Sequence, residues 1–194
     1  MPGVTGAGSV SRIVRRLSRV VPDRVPYAES CRVLQTKELL ETDEIPPLPE
    51  RPPRHDDEHL GISFFRTRLA DVALDGLTLP RTFFGRSEIR SVSFRRSDLS
   101  ESTANWNDFI DVDFSSSDLS RADFRASIFE RVSFRGAVLR GTDLRRATFR
   151  GCTFTDADMA GARLTRALPW VFRLSRAQRA VIDWQPSGPE PEGG

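Results

Sequence analysis

A chain of 194 residues has room for one domain and an appendage. With 29 basic and 27 acidic side chains it is near neutral at +2, so bulk charge points to no polyanionic partner; Lys37 is the only lysine, an arginine bias that fits a GC-rich bacterial genome. Two cysteines, Cys31 and Cys152, exclude a disulfide framework or a CxxC metal knuckle, and no apolar run reaches the roughly 18 residues of a membrane helix.

No signal-peptide-like apolar region opens the chain, so the expected setting is the cytoplasm. Residues 1–60 read as a helical and proline-rich extension. Ser11–Val21 has Ile13, Leu17 and Val20 on one helical face and Arg12, Arg15, Arg16 and Arg19 elsewhere. Such a helix packs on a neighbouring domain or, in a sharper reading, lies on an anionic membrane or nucleic acid. Cys31–Leu40 is expected to form a second helix, and residues 45–54, IPPLPERPPR, a polyproline-type spacer without a core of its own. His55-Asp-Asp-Glu-His59 puts two imidazoles at i, i+4, a spacing that holds zinc on a helix. It is not HExxH, because Glu58 directly precedes the second histidine, and the stretch reads first as a solvated junction.

From residue 61 to 167 a different rule operates. Every fifth residue from Phe64 to Leu164 is large and apolar, with Ala104 the one exception. Two residues ahead of these stands, in most pentads, a small or β-branched side chain, such as Val72, Ser97, Ala122 or Ala157. Neither a helix period of 3.6 nor a strand period of 2 accounts for this. A corner in every pentad does, and four corners close a square coil with a second period of 20. The sequence carries that second period: Val72, Val92, Val112, Val132 and Cys152 form one column, and Leu79, Leu99, Leu119, Leu139 and Met159 another. At Ala104 the following Asn105-Trp106-Asn107 suggests a bulge in which Trp106 fills the gap; the alternative is a surface tryptophan.

The pattern resembles the pentapeptide repeat family, in segments such as Ser97-Asp98-Leu99, Ser117-Asp118-Leu119, Ala122-Asp123-Phe124, Thr142-Asp143-Leu144 and Ala157-Asp158-Met159. That resemblance implies an all-β solenoid, a right-handed quadrilateral β-helix of about five coils here. Some members bind DNA gyrase or topoisomerase by imitating DNA with rows of carboxylates, giving resistance or self-resistance to quinolone-type drugs, and pair through their C-terminal ends. This chain departs from them in charge, since residues 62–166 carry 17 Arg against 14 Asp plus Glu. One stretch is acidic, however. Between Ser97 and Ser120 there is no base, and Asp98, Glu101, Asp108, Asp111, Asp113 and Asp118 are the candidate partner-binding residues.

Residues 168–185 read as a C-terminal capping helix. Ser175-Arg-Ala-Gln178 has capping-box spacing, and Trp170, Leu174, Ala177, Val181 and Trp184 make an apolar stripe, for a lid on the last coil or for a lid that is also a dimer contact. Residues 186–194 read as a disordered tail. No nucleophile motif, P-loop or dinucleotide fingerprint is present, and no cofactor is expected. The sequence therefore points away from an enzyme and toward a protein-interaction scaffold, with a DNA-mimicking topoisomerase modulator and a membrane- or nucleic-acid-tethered adaptor as alternatives; direct DNA binding by the rod itself is disfavoured.

Overall fold

The computed structural model describes residues 24–40, 42–53, 61–166 and 173–187. Each pentad from residue 62 onward turns the chain by a quarter circle, and the corner has a fixed chemistry. The second residue after each large apolar one adopts a left-handed φ of about +50 to +70°, from Gly61 and Arg66 through Trp106 to Asp156 and Gly161. On three sides of the square an i to i+3 backbone bond closes the corner, as from Ser97 N–H to Phe94 C=O (3.2 Å), Ser102 N–H to Leu99 C=O (3.3 Å) and Ser127 N–H to Phe124 C=O (3.3 Å). With φ positive at the third position, these are type II turns.

The four sides stack in register with parallel pairing and a step of 20 residues. Face A is a five-stranded sheet of β2 (Arg68–Ala70), β4 (Glu88–Arg90), β5 (Asp108–Ile110), β6 (Ile128–Glu130) and β8 (Thr148–Arg150). Faces B and C are held by single bridges such as Ser93↔Asp113 and Asp98↔Asp118. Face D begins with β1 (Ser63–Phe65) and β3 (Phe83–Gly85), and ends with β7 (Asp143–Leu144), β9 (Arg163–Thr165) and β10 (Asp183–Gln185). The coil therefore makes about six turns rather than five.

Inside the square, aromatic rings build continuous columns. Phe94, Phe114, Phe134 and Phe154 stack at centroid distances of 5.4, 5.6 and 4.9 Å, and Phe109, Phe129 and Phe149 at 5.0 and 5.1 Å. Neighbouring columns meet edge to face, as at Phe129–Phe134. After face A no i to i+3 bond closes the corner, and Val92, Val112 and Val132 fill the wider inward slot.

At several positions where the inward slot holds Ser, Thr or Asn, the side chain ties two coils together, whereas Thr82 and Ser117 bond the carbonyl three residues back in their own coil. Ser97 Oγ accepts the Leu77 N–H and donates to Leu74 C=O. Ser87, Asn107 and Ser127 repeat the device one coil apart: Asn107 Oδ1 accepts the Ser87 N–H, and Ser127 Oγ accepts the Asn107 N–H. This removes the reason for a bulge. Trp106 sits at an ordinary corner with φ 58° and is 69% exposed, while Ala104 stays fully buried in register. The expected bulge is replaced by Asn107, which donates Nδ2 to Phe84 C=O and Asn105 C=O.

The N-terminal extension also differs from expectation. The helix α1 spans Tyr27–Thr36, ahead of the expected Cys31–Leu40, and buries Ser30, Cys31 and Leu34. It closes the first coil: Val25 bridges Leu77, and Ser30 Oγ accepts the Thr78 N–H at 2.9 Å. The proline stretch is not a free spacer, since Pro49 and Pro53 are buried against the rod. Ser11–Val21 with Arg12, Arg15, Arg16 and Arg19, the pair His55 and His59, and Trp170 lie outside the described residues, as does the tail from 188.

At the other end, α2 (Arg176–Val181) starts with the expected capping box, Ser175 and Gln178 bonding reciprocally. The apolar stripe does not hold, because a six-residue helix buries none of its own residues and Val181 is 47% exposed. Leu174 and Ile182 are buried instead, and Trp184 is half-buried with its indole N–H donated to Arg179 C=O. Leu174 stands 20 residues after Phe154, and Trp184 pairs with Leu164, so the 20-residue step, though not every pentad, continues into the cap.

Candidate partner-binding surface

Outward side chains on a solenoid are set by the same register as the core. Asp98 and Asp118 stack on face C, Asp113 stands on face B and Asp108 on face A, while Glu101 and Asp111 occupy corners. The six carboxylates thus form a belt around the middle of the rod and not one patch. Arginines that are 20 residues away in sequence are next-door neighbours in space, and they enter this belt. Glu101 accepts from Arg81 at 2.6 Å and from Arg121, and Asp111 accepts from Arg131 at 2.6 Å. Asp98 lies 3.5 Å from Arg24, and Asp113 lies 3.9 Å from Arg95.

The guanidinium hydrogen bonds from Arg81 and then Arg121 hold the Glu101 carboxyl below its usual value, and the Arg131 bond does the same for Asp111. Asp98, Asp113 and Asp118 also accept the backbone N–H two residues on, at Ser100, Ser115 and Ser120. These carboxylates therefore shape corners as well as facing solvent. Among the described residues, Asp108 and Asp118 have no basic side chain within ion-pair distance.

A further feature lies beside Asp108. Trp106 is the most exposed large apolar side chain described, on a corner column otherwise occupied by Arg66, Arg86, Ala126, Arg146 and Arg166. Ile128, 38% exposed, is the register partner of Asp108 in the next coil. Trp106, Asp108 and Ile128 form an apolar edge with one carboxylate, at the join of faces D and A. The signal was present, because position 106 is a corner by simple counting from Arg66. Of the C-terminal candidates, Leu174 is committed to the core, whereas Val181 and part of Trp184 reach the surface.

No group of three His, Cys, Asp or Glu arranged for a metal occurs among the described residues. Burial raises the thiol pKa of both Cys31 and Cys152, which favours the protonated form. No described helix is long and apolar enough to cross a membrane.

Residues 108–146 and 133–168 match the family model of pentapeptide repeats, in 8 copies. Residues 108–168 are pentapeptide repeats, and the solenoid has the fold of a pentapeptide-repeat β-helix. Among solved structures, this pentapeptide-repeat rod is similar to HetL of the cyanobacterium Nostoc sp. strain PCC 7120, a protein involved in heterocyst differentiation regulation. The identity is 18% and the TM-score 0.50, over 52% of this chain and 48% of HetL, so the chain spans about half the length of that relative. A pentapeptide repeat protein of the Arabidopsis thaliana thylakoid lumen is 26% identical over 58% of this chain and 72% of its own, with a TM-score of 0.48. QnrB1, a plasmid-mediated fluoroquinolone resistance protein, is 21% identical over 56% of each chain, with a TM-score of 0.27. No curated protein matches the sequence.

Proposed function

We propose that the pentapeptide-repeat rod is a non-enzymatic protein-interaction scaffold, and that the edge formed by Trp106, Asp108 and Ile128 is its docking surface. The observation that carries this reading is the 69% exposure of Trp106 on a rigid corner. A large aromatic ring held by an unyielding backbone loses little entropy on binding, which is why tryptophan is enriched among interface anchors. In support of the non-enzymatic part, inward polar side chains such as Ser97, Asn107 and Ser127 are engaged in coil-to-coil bonds and are not turned to solvent. The test is site-specific photo-crosslinking in the source cell with p-benzoylphenylalanine in place of Trp106 or, as control, of Arg66. A discrete adduct from position 106 alone is the expected result, and the purified partner should then bind Trp106→Ala at least about ten-fold more weakly. Equal adducts from both positions would overturn the assignment.

The topoisomerase reading is the weaker of the two. Glu101 and Asp111 are each bonded to arginine from a neighbouring coil, so the belt does not present rows of free negative charge. Gyrase supercoiling is therefore expected to proceed unchanged with micromolar protein added. Inhibition that is lost on changing Asp108 and Asp118 to Asn would reverse that order.

A further inference from the structure

On face D the outward positions of the first coils break the polar rule of the later ones. Phe83 is in the column that continues as Thr103, Asp123 and Asp143, and Phe65 in the column that continues as Gly85, Asn105 and Arg125. An outward phenylalanine on a solenoid meets water unless something covers it, yet Phe83 is only 3% exposed. The Phe65 and Phe83 rings stack at 6.2 Å and lie across Gly85, where an added Cβ would stand 2.5 Å from the Phe83 ring and 2.7 Å from the Phe65 ring. Glycine at 85 is thus what lets the aromatic floor lie flat.

Residues 47–53 are bonded to residues on either side of Phe83 in this floor. The Pro49 ring presses on Gly61, where a Cβ would come within 2.5 Å of it. Arg81 Nη1 donates to Pro49 C=O at 2.6 Å, and Thr103 Oγ1 donates to Pro53 C=O at 2.6 Å. Tyr27 Oη adds a longer bond, 3.4 Å, to Pro47 C=O. Arg81 sits at the corner just before Phe83 and Thr103 is the bridge partner of Phe83, so the strap passes across that ring. Pro49 and Pro53 are buried, whereas Leu48 is 46% exposed.

This is the chemistry by which polyproline segments are recognised: a flat aromatic floor for proline rings, and donors for carbonyls that have no partner within the segment itself. We propose that face D of the first three coils is a receptor groove for proline-rich extended segments. The chain's own residues 47–53 occupy it in cis, and a proline-rich segment of a partner protein enters when they are displaced. A tethered strap acts at an effective concentration of the order of millimolar, so the groove is shut to weak ligands until the strap is loosened.

The probe is a fluorescent peptide of residues 44–54, read by anisotropy against three full-length chains. These are the unaltered chain, one with residues 45–53 replaced by an equally long Gly-Ser segment, and one carrying Pro49→Gly with Pro53→Gly. Both loosened chains should bind the peptide at least about ten-fold more tightly than the unaltered chain. Thr103→Val should reverse the gain in each, and a peptide with alanine at 49 and 53 should not bind. A loosened chain that melts cooperatively but binds no better than the unaltered one overturns the proposal, as does equal binding of the alanine peptide. If both loosened chains fail to fold, the strap is a fixed part of the fold and the proposal also fails.

Discussion

Ser97 has two roles at once: its small size fits the inward slot, and its hydroxyl satisfies one donor and one acceptor of the coil before it. Ser97→Ala keeps the size and removes the bonds, leaving buried main-chain groups unpaired, and should cost roughly 1–3 kcal/mol in equilibrium denaturant unfolding. Asn107→Ala removes bonds to Ser87, Phe84 and Asn105 together and should cost more than Ser97→Ala. Trp106→Ala, in contrast, should fall within about 0.5 kcal/mol of the unaltered protein, because the ring touches little. Phe114→Ala, which empties the centre of an aromatic stack, should cost about 3–5 kcal/mol. Counting by fives located all four positions. It did not explain Asn107, because its partners lie in a neighbouring coil and only the fold brings them within reach.

At the level of elements, the two ends are closed by different means. Gln178 joins cap to rod, since its Oε1 accepts the Ser175 N–H while its Nε2 donates to Phe154 C=O and Ala157 C=O. Gln178→Ala should therefore loosen the last coil locally. The expected readout is faster amide hydrogen exchange at Leu174, Arg179 and Asp183, with the amides of Phe114 and Leu119 unchanged. The capping box itself was legible, being a local four-residue pattern. The helical stripe was a false lead, because Leu174 and Trp184 obey the solenoid spacing and not the helical one. The strap at 47–53 was illegible for another reason: Gly61, Gly85 and Thr103, which admit and hold it, resemble ordinary repeat residues until the strap is seen against them.

Across the whole molecule, charge is arranged by stacking and not by sequence. The base-free stretch from Ser97 to Ser120 receives Arg24, Arg81, Arg95, Arg121 and Arg131 from other parts of the chain. A pH dependence follows. The folded-state pKa of Glu101 is depressed by its two arginines, so its contribution to stability is complete above the unfolded value, about 4.3, and disappears as pH falls through the lower folded value. Glu101→Gln should destabilise the protein at pH 7, and the gap between the two proteins should close as pH is lowered below about 4 in thermal unfolding. Asp111, in open solvent beside Arg131, should behave alike but with greater sensitivity to salt.

The uniform 20-residue step between stacked strands makes length a quantised property of this protein. Removing residues 128–147 deletes one whole layer of about 4.8 Å and lets every column close over the gap, with Phe109 on Phe149 and Phe114 on Phe154. Removing only 128–132 turns everything downstream by a quarter circle, sets leucine columns over phenylalanine columns and carries each outward charge to a different face. The larger deletion should give a shorter rod with the same circular-dichroism spectrum, and the smaller one a protein that melts earlier or not cooperatively. Duplication of single coils is then a route by which such a chain can grow without ever passing through a misfolded intermediate length.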